Sequence, residues 1–221
     1  MHEKYLRELL KNKGASLVGF CKLDYSPIEN QPNLMYGVSI VKKLSDSVLR
    51  SIDGAPSMAY FQHYRTINFK LDQLALDAID YIEKAGYNAF PIAASQSKPD
   101  NRYSGLMQHK TVARLAGLGY IGKNSMFITE EFGSKVRLAT VLTDMPLDCD
   151  KQVLDKNCGD CNICFNACPV GCIYGINFDQ KNPEADLIDR EKCSLHMKTY
   201  NHIGRGSVCG LCMRACPKNK L

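Results

Sequence analysis

Hydrophobic residues alternate between helical and strand-like spacing along the first two thirds of the chain. Apolar side chains recur with a helical period from His2 to Lys13, and a longer run over residues 58–84 repeats this spacing. A further helix is predicted at about 107–116, and strands are predicted at 15–21, 36–41, 88–92, 125–129 and 136–142. Because strands and helices alternate, we predict an α/β or α+β fold with a central sheet.

The periodic pattern stops near Asp148, and Cys, Gly, Asn and Pro dominate the remaining sequence. A chain of 221 residues is long enough for one medium-sized domain followed by a small module. We therefore predict two domains. The first is an α/β cofactor or substrate domain over 1–150, and the second is a small cysteine-rich domain over 151–221.

Composition and charge add two expectations about location and partners. No run approaches the roughly 20 apolar residues that span a bilayer, and the N-terminal residues lack the apolar core of a signal peptide. We therefore expect a cytoplasmic protein without a membrane partner. The net charge is +5, from 28 basic and 23 acidic residues. These residues are scattered along the chain, so charge alone does not indicate nucleic-acid binding.

The eleven cysteines carry the clearest chemical signal, since all except Cys21 lie between Cys149 and Cys216. Cytosolic thiols stay reduced, so this density indicates metal or iron–sulfur ligation rather than disulfides. The run from Cys158 to Pro169 has the spacing C-x2-C-x2-C-x3-C-P, and residues 209–217 repeat its final part. In paired-cluster proteins the three closely spaced thiolates bind one cluster, and the cysteine before proline binds the other.

Eight of these cysteines account for two [4Fe–4S] clusters. One predicted set is Cys158, Cys161, Cys164 and Cys216, and the other is Cys168, Cys193, Cys209 and Cys212. Cys193 completes the second set because it is the nearest unassigned cysteine. Two four-cysteine zinc sites are the alternative, but the reciprocal arrangement of the Cys-Pro motifs favours clusters. We interpret Cys21 and Cys172 as packing residues and assign Cys149 no role.

A second candidate site lies between a predicted helix end and the next strand. It contains Gly117, Gly119, Gly122, Lys123 and Asn124. Glycines in such a place let the backbone approach a flat or phosphorylated ligand closely, although a helix cap followed by a turn gives the same pattern.

Three histidines are further candidates. His109, at a predicted helix start, either faces a ligand or has a polar capping or surface role. His196 and His202 lie near a cluster ligand, where hydrogen bonds would tune the cluster potential.

The chain resembles the epoxyqueuosine reductase family, most clearly over about residues 100 to 221. The matching segments are Ala116–Asn124, Gly133–Ser134, Leu142–Leu147, Cys158–Pro169, Asp189–Cys193 and Cys209–Lys220. The resemblance implies a nitroreductase-like, cobalamin-binding-like α/β domain followed by a bacterial-ferredoxin-like double-cluster module, an arrangement shared with corrinoid reductive dehalogenases. It also implies that the same eight cysteines bind the clusters and that the glycine segment lies against the corrinoid.

The sequence departs from this family at three points. The acidic proton donor of the family is replaced by Tyr103, which becomes our candidate acid, with Arg102 as an electrostatic aid; an ordinary loop aromatic is the alternative. The tRNA-reducing members continue into a helical-repeat region, whereas this sequence stops at Leu221, so we expect tRNA reduction to be doubtful. Lys218 stands where a Trp is common.

The leading hypothesis is an iron–sulfur reductase that passes electrons through two clusters to a cobalamin and reduces an unidentified substrate. It requires an external low-potential electron donor. One alternative is a non-catalytic electron-transfer protein that reduces the corrinoid or flavin of a partner. Another is a flavin in place of the corrinoid.

Overall fold

The computed structural model describes residues 2–95, 97–98, 103–149, 152–182, 185–204 and 207–221. The chain forms two compact units. One comprises Met1–Lys43, Ile67–Gly119 and Arg137–Leu154, and the other comprises Leu44–Thr66, Tyr120–Val136 and Asp155–Leu221. The second unit therefore joins the cysteine-rich segment to two stretches from earlier in the sequence. Residues 150 and 151, where we place the domain boundary, lie outside the described residues, and the boundary stays a prediction.

The described residues contain seven α-helices, six strands and two short 3-10 helices. The α-helices are α1 His2–Asn12, α2 Asp46–Arg50, α3 Met58–Lys84, α4 His109–Leu115, α5 Ile163–Asn166, α6 Arg190–Met197 and α7 Leu211–Arg214. The strands are β1 Leu17–Lys22, β2 Tyr36–Lys43, β3 Ala89–Ile92, β4 Tyr120–Ile121, β5 Phe127–Ile128 and β6 Val136–Thr143. The 3-10 helices are Asn201–Ile203 and Pro217–Asn219. None of the described helices combines the length and apolar character needed to cross a membrane.

A four-stranded sheet in the order β1-β2-β6-β3 confirms the predicted mixed α/β architecture. Strands β1 and β2 are antiparallel, with Leu17 opposite Val41, and β3 and β6 are antiparallel, with Ala89 opposite Thr143. The central strands are buried nearly throughout, which explains their apolar sequences.

Two strand residues without side chains leave room for α4 and the residues that follow it. A Cβ on Gly37 would lie 2.8 Å from Val112 Cγ1 in α4, and a Cβ on Gly19 would lie 2.9 Å from the side chain of Leu118, just after α4. Both distances are shorter than real carbon contacts, so a larger residue at either position would force its neighbours to shift.

The predicted strand at 125–129 does not join the main sheet. It forms β5, which pairs with β4 in a separate two-stranded hairpin. The turn between them is closed by hydrogen bonds from Gly122 N to Met126 O (2.9 Å) and from Ser125 N to Gly122 O (2.8 Å). A Cβ on Gly122 would lie 2.5 Å from Ile128 Cδ1, so this glycine is required by packing inside the hairpin.

Candidate iron–sulfur site

Four of the predicted ligands surround one cavity in the second unit. Cys158, Cys161 and Cys164 come from the first motif, and Cys216 comes from the second. The remaining lining residues are Asn124, Ile128, Pro217 and Lys218. Within the described ranges, no three His, Cys, Asp or Glu side chains are arranged around a single metal ion. The thiols instead surround a cavity, and the structure brings together the four residues that we assign to the first cluster.

Short turns hold the first motif in place. Cys161 N donates to Cys158 O at 3.2 Å, which closes the turn between these two thiols. The Asn177 side chain accepts from Cys158 N at 3.2 Å and donates to Gly159 O at 3.2 Å. One amide side chain therefore holds the first two residues of this turn.

The charges of the first four thiols would repel one another without a cation among them. Burial raises the pKa of Cys164, and the neighbouring thiolates of Cys158, Cys216 and Cys161 raise it further. Burial is also the main cause that raises the pKa of Cys216. An iron–sulfur core supplies the positive charge that keeps such crowded sulfurs deprotonated.

The other four predicted ligands form a second group. Cys212 is partly buried, and its pKa is raised by that burial and then by the charges of neighbouring cysteines. These neighbours are Cys209, Cys193, Cys164 and Cys168, in decreasing order of effect. Cys209, Cys193 and Cys168 belong to the predicted second set, whereas Cys164 belongs to the first, so the two groups lie close enough to interact. The ligand assignments themselves stay a prediction.

Cys172 is buried, as expected for a packing residue, but its surroundings were not anticipated from the sequence. Its sulfur lies 3.3 Å from that of Cys168, and its backbone N donates to the Cys168 sulfur at 3.4 Å. Its side chain also forms a hydrogen bond with that of Cys193. The second group thus contains a fifth thiol, which the ligand count leaves unassigned.

The two remaining cysteines belong to the first unit. Cys21 is buried in β1, and this burial raises the pKa of its thiol to about 12, which confirms an inert packing role. Cys149 is exposed and donates to Leu147 O.

A buried asparagine that sequence reasoning missed anchors the segment after Cys216. The Asn219 side-chain oxygen accepts from Ser134 N at 2.8 Å and from Ser134 Oγ at 3.1 Å, and its amide donates to Met213 O at 2.6 Å. Lys135 Nζ donates to Asn219 O at 2.6 Å and pairs with Asp46 at 2.7 Å. These bonds fix the chain three residues beyond a predicted cluster ligand. The only sequence signal was the match of Gly133–Ser134 and Pro217–Lys220 to the family.

Two residues of the glycine segment contact the cysteine-rich segment. Lys123 and Asn124 are each 5% exposed. Lys123 Nζ donates to Asn162 Oδ1 at 3.0 Å, at the start of α5. Asn124 lines the four-thiol cavity, and its amide lies 3.5 Å from Cys212 O. Both side chains therefore support the arrangement of the cysteines.

Gly117 ends α4 in the left-handed conformation, with φ +65°. Gly117 N donates to Arg114 O, and Leu118 N donates to Ala113 O, which is the Schellman arrangement of a helix C-terminus. Gly117 therefore has a structural reason to be glycine, and Gly119 is buried just after it. A corrinoid contact for these glycines stays a prediction.

The predicted proton donor lies in a turn of the first unit. Tyr103 is partly buried there, and Arg102, our candidate electrostatic aid, lies outside the described residues. A catalytic role for Tyr103 stays a prediction.

His109 is partly buried within the first unit. Its Nε2 lies 2.9 Å from Ala93 O, and its Nδ1 lies 2.9 Å from Thr140 Oγ1. Burial lowers the pKa of His109 to about 4, so the neutral imidazole links α4 to the sheet.

The two histidines proposed to tune a cluster are joined through a tyrosine. His196 Nε2 lies 2.8 Å from Tyr200 Oη, which in turn lies 3.8 Å from Cys209 Sγ. His202 packs edge-on against the Tyr200 ring, and its Nε2 lies 2.7 Å from Pro56 O. Neither histidine has a described hydrogen bond to a cysteine sulfur, whereas Tyr200 does.

Comparison with known proteins supports this picture of the second unit. Residues 157–219 match the family described as "4Fe-4S double cluster binding domain". The chain is 38% identical over 119 residues to the epoxyqueuosine reductase of Bacillus cereus, a match that covers 53% of this chain and 31% of that protein. The chain thus spans about a third of the length of that relative.

Solved structures show the same fold over nearly the whole chain. A catabolic reductive dehalogenase in complex with 3-bromo-4-hydroxybenzoic acid is 19% identical, with a TM-score of 0.73 over 97% of this chain and 31% of that one. The epoxyqueuosine reductase of Streptococcus thermophilus is 22% identical, with a TM-score of 0.63 over 100% of this chain and 67% of that one. The chain is therefore similar to epoxyqueuosine reductases, and its residues 157–219 match a double [4Fe–4S] cluster binding domain.

Proposed function

We propose that this protein is an iron–sulfur reductase that passes single electrons through two clusters to a corrinoid bound by the same chain. The observation that carries the proposal is the cavity lined by Cys158, Cys161, Cys164 and Cys216. Three of these thiols come from one motif and the fourth comes from the other, which is the reciprocal pattern of paired [4Fe–4S] proteins.

The eight predicted thiols are the number that two [4Fe–4S] clusters require, and their surroundings suit cluster binding. Four would hold the first cluster, and Cys168, Cys193, Cys209 and Cys212 would hold the second. When bound, the clusters supply one-electron transfer at a potential set by burial and by hydrogen bonds to sulfur. The chain contributes the buried positions of Cys164 and Cys216 and the turns that hold the motifs.

The corrinoid is proposed from the fold and from the glycine segment. One solved structure with the same fold, at a TM-score of 0.73, is that of a reductive dehalogenase for which B12-dependent dehalogenation is described. In this chain Gly117 and Gly119 are the candidates for close approach of the ring. Lys123 and Asn124 hold the cysteine-rich segment through their hydrogen bonds. Tyr103 is the candidate that gives a proton to the reduced substrate.

Epoxyqueuosine in a tRNA stem loop is the first substrate to test. The curated relatives are epoxyqueuosine reductases, and one structural neighbour was solved with an epoxyqueuosine-modified tRNA stem loop. Those proteins are much longer than the matching part of this chain, so a smaller substrate is the second class to test.

The deciding experiment starts with anaerobic reconstitution and analysis of iron and sulfide. We expect about eight iron and about eight sulfide per chain, whereas about four of each would show that only one cluster is present. The protein is then titrated with cob(II)alamin and followed by EPR. A changed cobalt signal, and its loss when the clusters are reduced, would support the proposal. Unchanged cobalt at saturating protein would overturn corrinoid binding.

A parallel titration with flavin mononucleotide, read by absorbance, separates the remaining alternatives. If the protein binds flavin but not cobalamin, the proposed cofactor is a flavin and not a corrinoid. Binding of neither cofactor by a protein with eight irons would favour an electron-transfer protein. If cobalamin binds, the reduced protein is offered the modified stem loop, and conversion of epoxyqueuosine is followed by mass spectrometry.

A further inference from the structure

A chain of hydrogen-bonding side chains reaches one predicted ligand of the second cluster. Tyr200 Oη lies 3.8 Å from Cys209 Sγ, within hydrogen-bonding range for sulfur, and 2.8 Å from His196 Nε2. Tyr200 and His196 are both partly buried, so water competes only weakly for these bonds.

The Tyr200 ring is held in place from two sides. His196 meets it edge-on with ring centres 5.0 Å apart and planes at 73°, and His202 meets it at 5.9 Å and 82°. His202 is itself fixed by its 2.7 Å contact with Pro56 O. The phenol group thus has a defined direction toward Cys209 rather than a choice of rotamers.

Binding of a cluster would determine which group donates in this chain. A cysteine that ligates iron is a thiolate and has no proton to give. Tyr200 must then donate its O–H to the Cys209 sulfur, and its oxygen is left to accept from His196. The Nε2 of His196 must carry the proton for this, which defines its neutral tautomer.

We propose that Tyr200, oriented by His196, is a positioning residue that raises the reduction potential of the second cluster through a hydrogen bond to Cys209. The inference rests on the proposed cluster ligands. Reduction adds negative charge to the cluster and its sulfurs. A donor aimed at a sulfur therefore stabilises the reduced form more than the oxidised form.

The test is a redox titration of the reconstituted protein, followed by EPR, for the unmodified chain and for Tyr200→Phe. We expect one of the two clusters to become about tenfold harder to reduce, which corresponds to about 59 mV for a one-electron couple. The other cluster should keep its potential. His196→Leu should shift the same cluster in the same direction by less, because Tyr200 keeps its hydroxyl but loses its orienting partner.

The matched control is Tyr174→Phe, which removes a hydroxyl from a tyrosine that is 50% exposed in the same unit. The proposal is overturned if Tyr200→Phe holds eight irons with both potentials unchanged. It is also overturned if Tyr174→Phe produces the same shift. Failure of the underlying cluster assignment would look different, because the unmodified protein would then lack two clusters before any variant is compared.

Discussion

At the scale of single residues, the partly buried imidazole of His109 makes the first unit sensitive to pH. Its two ring nitrogens face Ala93 O and Thr140 Oγ1, so the neutral form with a proton on Nε2 satisfies both partners. A second proton would place a charge where burial removes much of its hydration and where the positive Arg137 opposes it. Burial is the main physical cause of the lowered pKa of His109, about 4 in the folded protein.

The expected consequence is a loss of stability in mild acid. The unfolded chain binds a proton at a pKa near 6.5, above the folded value, so stability falls as the pH drops from 6.5 toward 4. Between pH 7.5 and 5.5 the free energy of unfolding should fall by about 1 kcal/mol because of His109 alone. His109→Gln should be less stable at pH 7.5 but should show a flatter pH dependence in urea unfolding. An unchanged slope in the variant would assign the pH dependence to other groups.

The role of a residue could be predicted only where its spacing from other residues in the sequence determines the local geometry. The cysteine motifs encode short turns, so counting grouped the four thiols that line the cavity. Asn219 could not be found this way, because it hydrogen-bonds to Ser134, which lies 85 positions earlier and is brought near by tertiary folding. Tyr200 lies only four positions after His196 and nine before Cys209, but a single tyrosine at these spacings does not indicate a hydrogen bond to sulfur.

At the scale of elements, long segments were predictable and short ones were not. The 27-residue helix α3 has the predicted bounds, because many turns of helical periodicity contribute to one pattern. Helix α2 has five residues and β4 has two, which is too few for any period to appear. The separation of the β4–β5 hairpin from the main sheet depends on a turn with Ser125 at φ +60°, a conformation that serine rarely adopts.

Position 133 should accept no residue larger than glycine. A Cβ on Gly133 would lie 2.4 Å from Lys218 O and 2.6 Å from Asn219 Oδ1, and the backbone has φ +62°. Gly133→Ala should therefore cost about 1 kcal/mol for the left-handed backbone and about 1–3 kcal/mol more for the clash. Iron content should also fall, because the displaced segment follows Cys216.

Gly54 offers a matched control for this variant. It has the same φ of +62°, but a Cβ there would meet nothing within 4 Å. Gly54→Ala should show the backbone cost alone, with full iron content. Urea unfolding of the two variants separates strain from clash, and equal losses would show that the Lys218 backbone moves aside freely.

At the scale of the whole molecule, the two cysteine motifs depend on each other. The first cavity takes Cys216 from the end of the chain, and the second group takes Cys168 from the first motif. In the predicted ligand sets, neither motif completes a four-thiol site alone. The second unit also includes 44–66 and 120–136, so the cysteine-rich segment folds together with earlier parts of the chain. No change of hydrophobic pattern marks these two segments, which is why the sequence predicted a single boundary near residue 150.

This reciprocity makes the loss of one ligand informative about the whole assembly. Cys193→Ala should lower the iron content from about eight to about four per chain, because the second cluster loses the one ligand that lies outside both motifs. The first cluster should remain visible by EPR. Cys21→Ala is the control, since this thiol is buried in β1 of the other unit, and its iron content should stay near eight. Cys172, whose sulfur lies 3.3 Å from that of Cys168, is positioned to replace Cys193 as a ligand. If Cys193→Ala keeps eight irons per chain, the predicted ligand set is contradicted. Loss of four irons in the double variant Cys193→Ala, Cys172→Ala would then show that Cys172 had replaced Cys193 as a ligand.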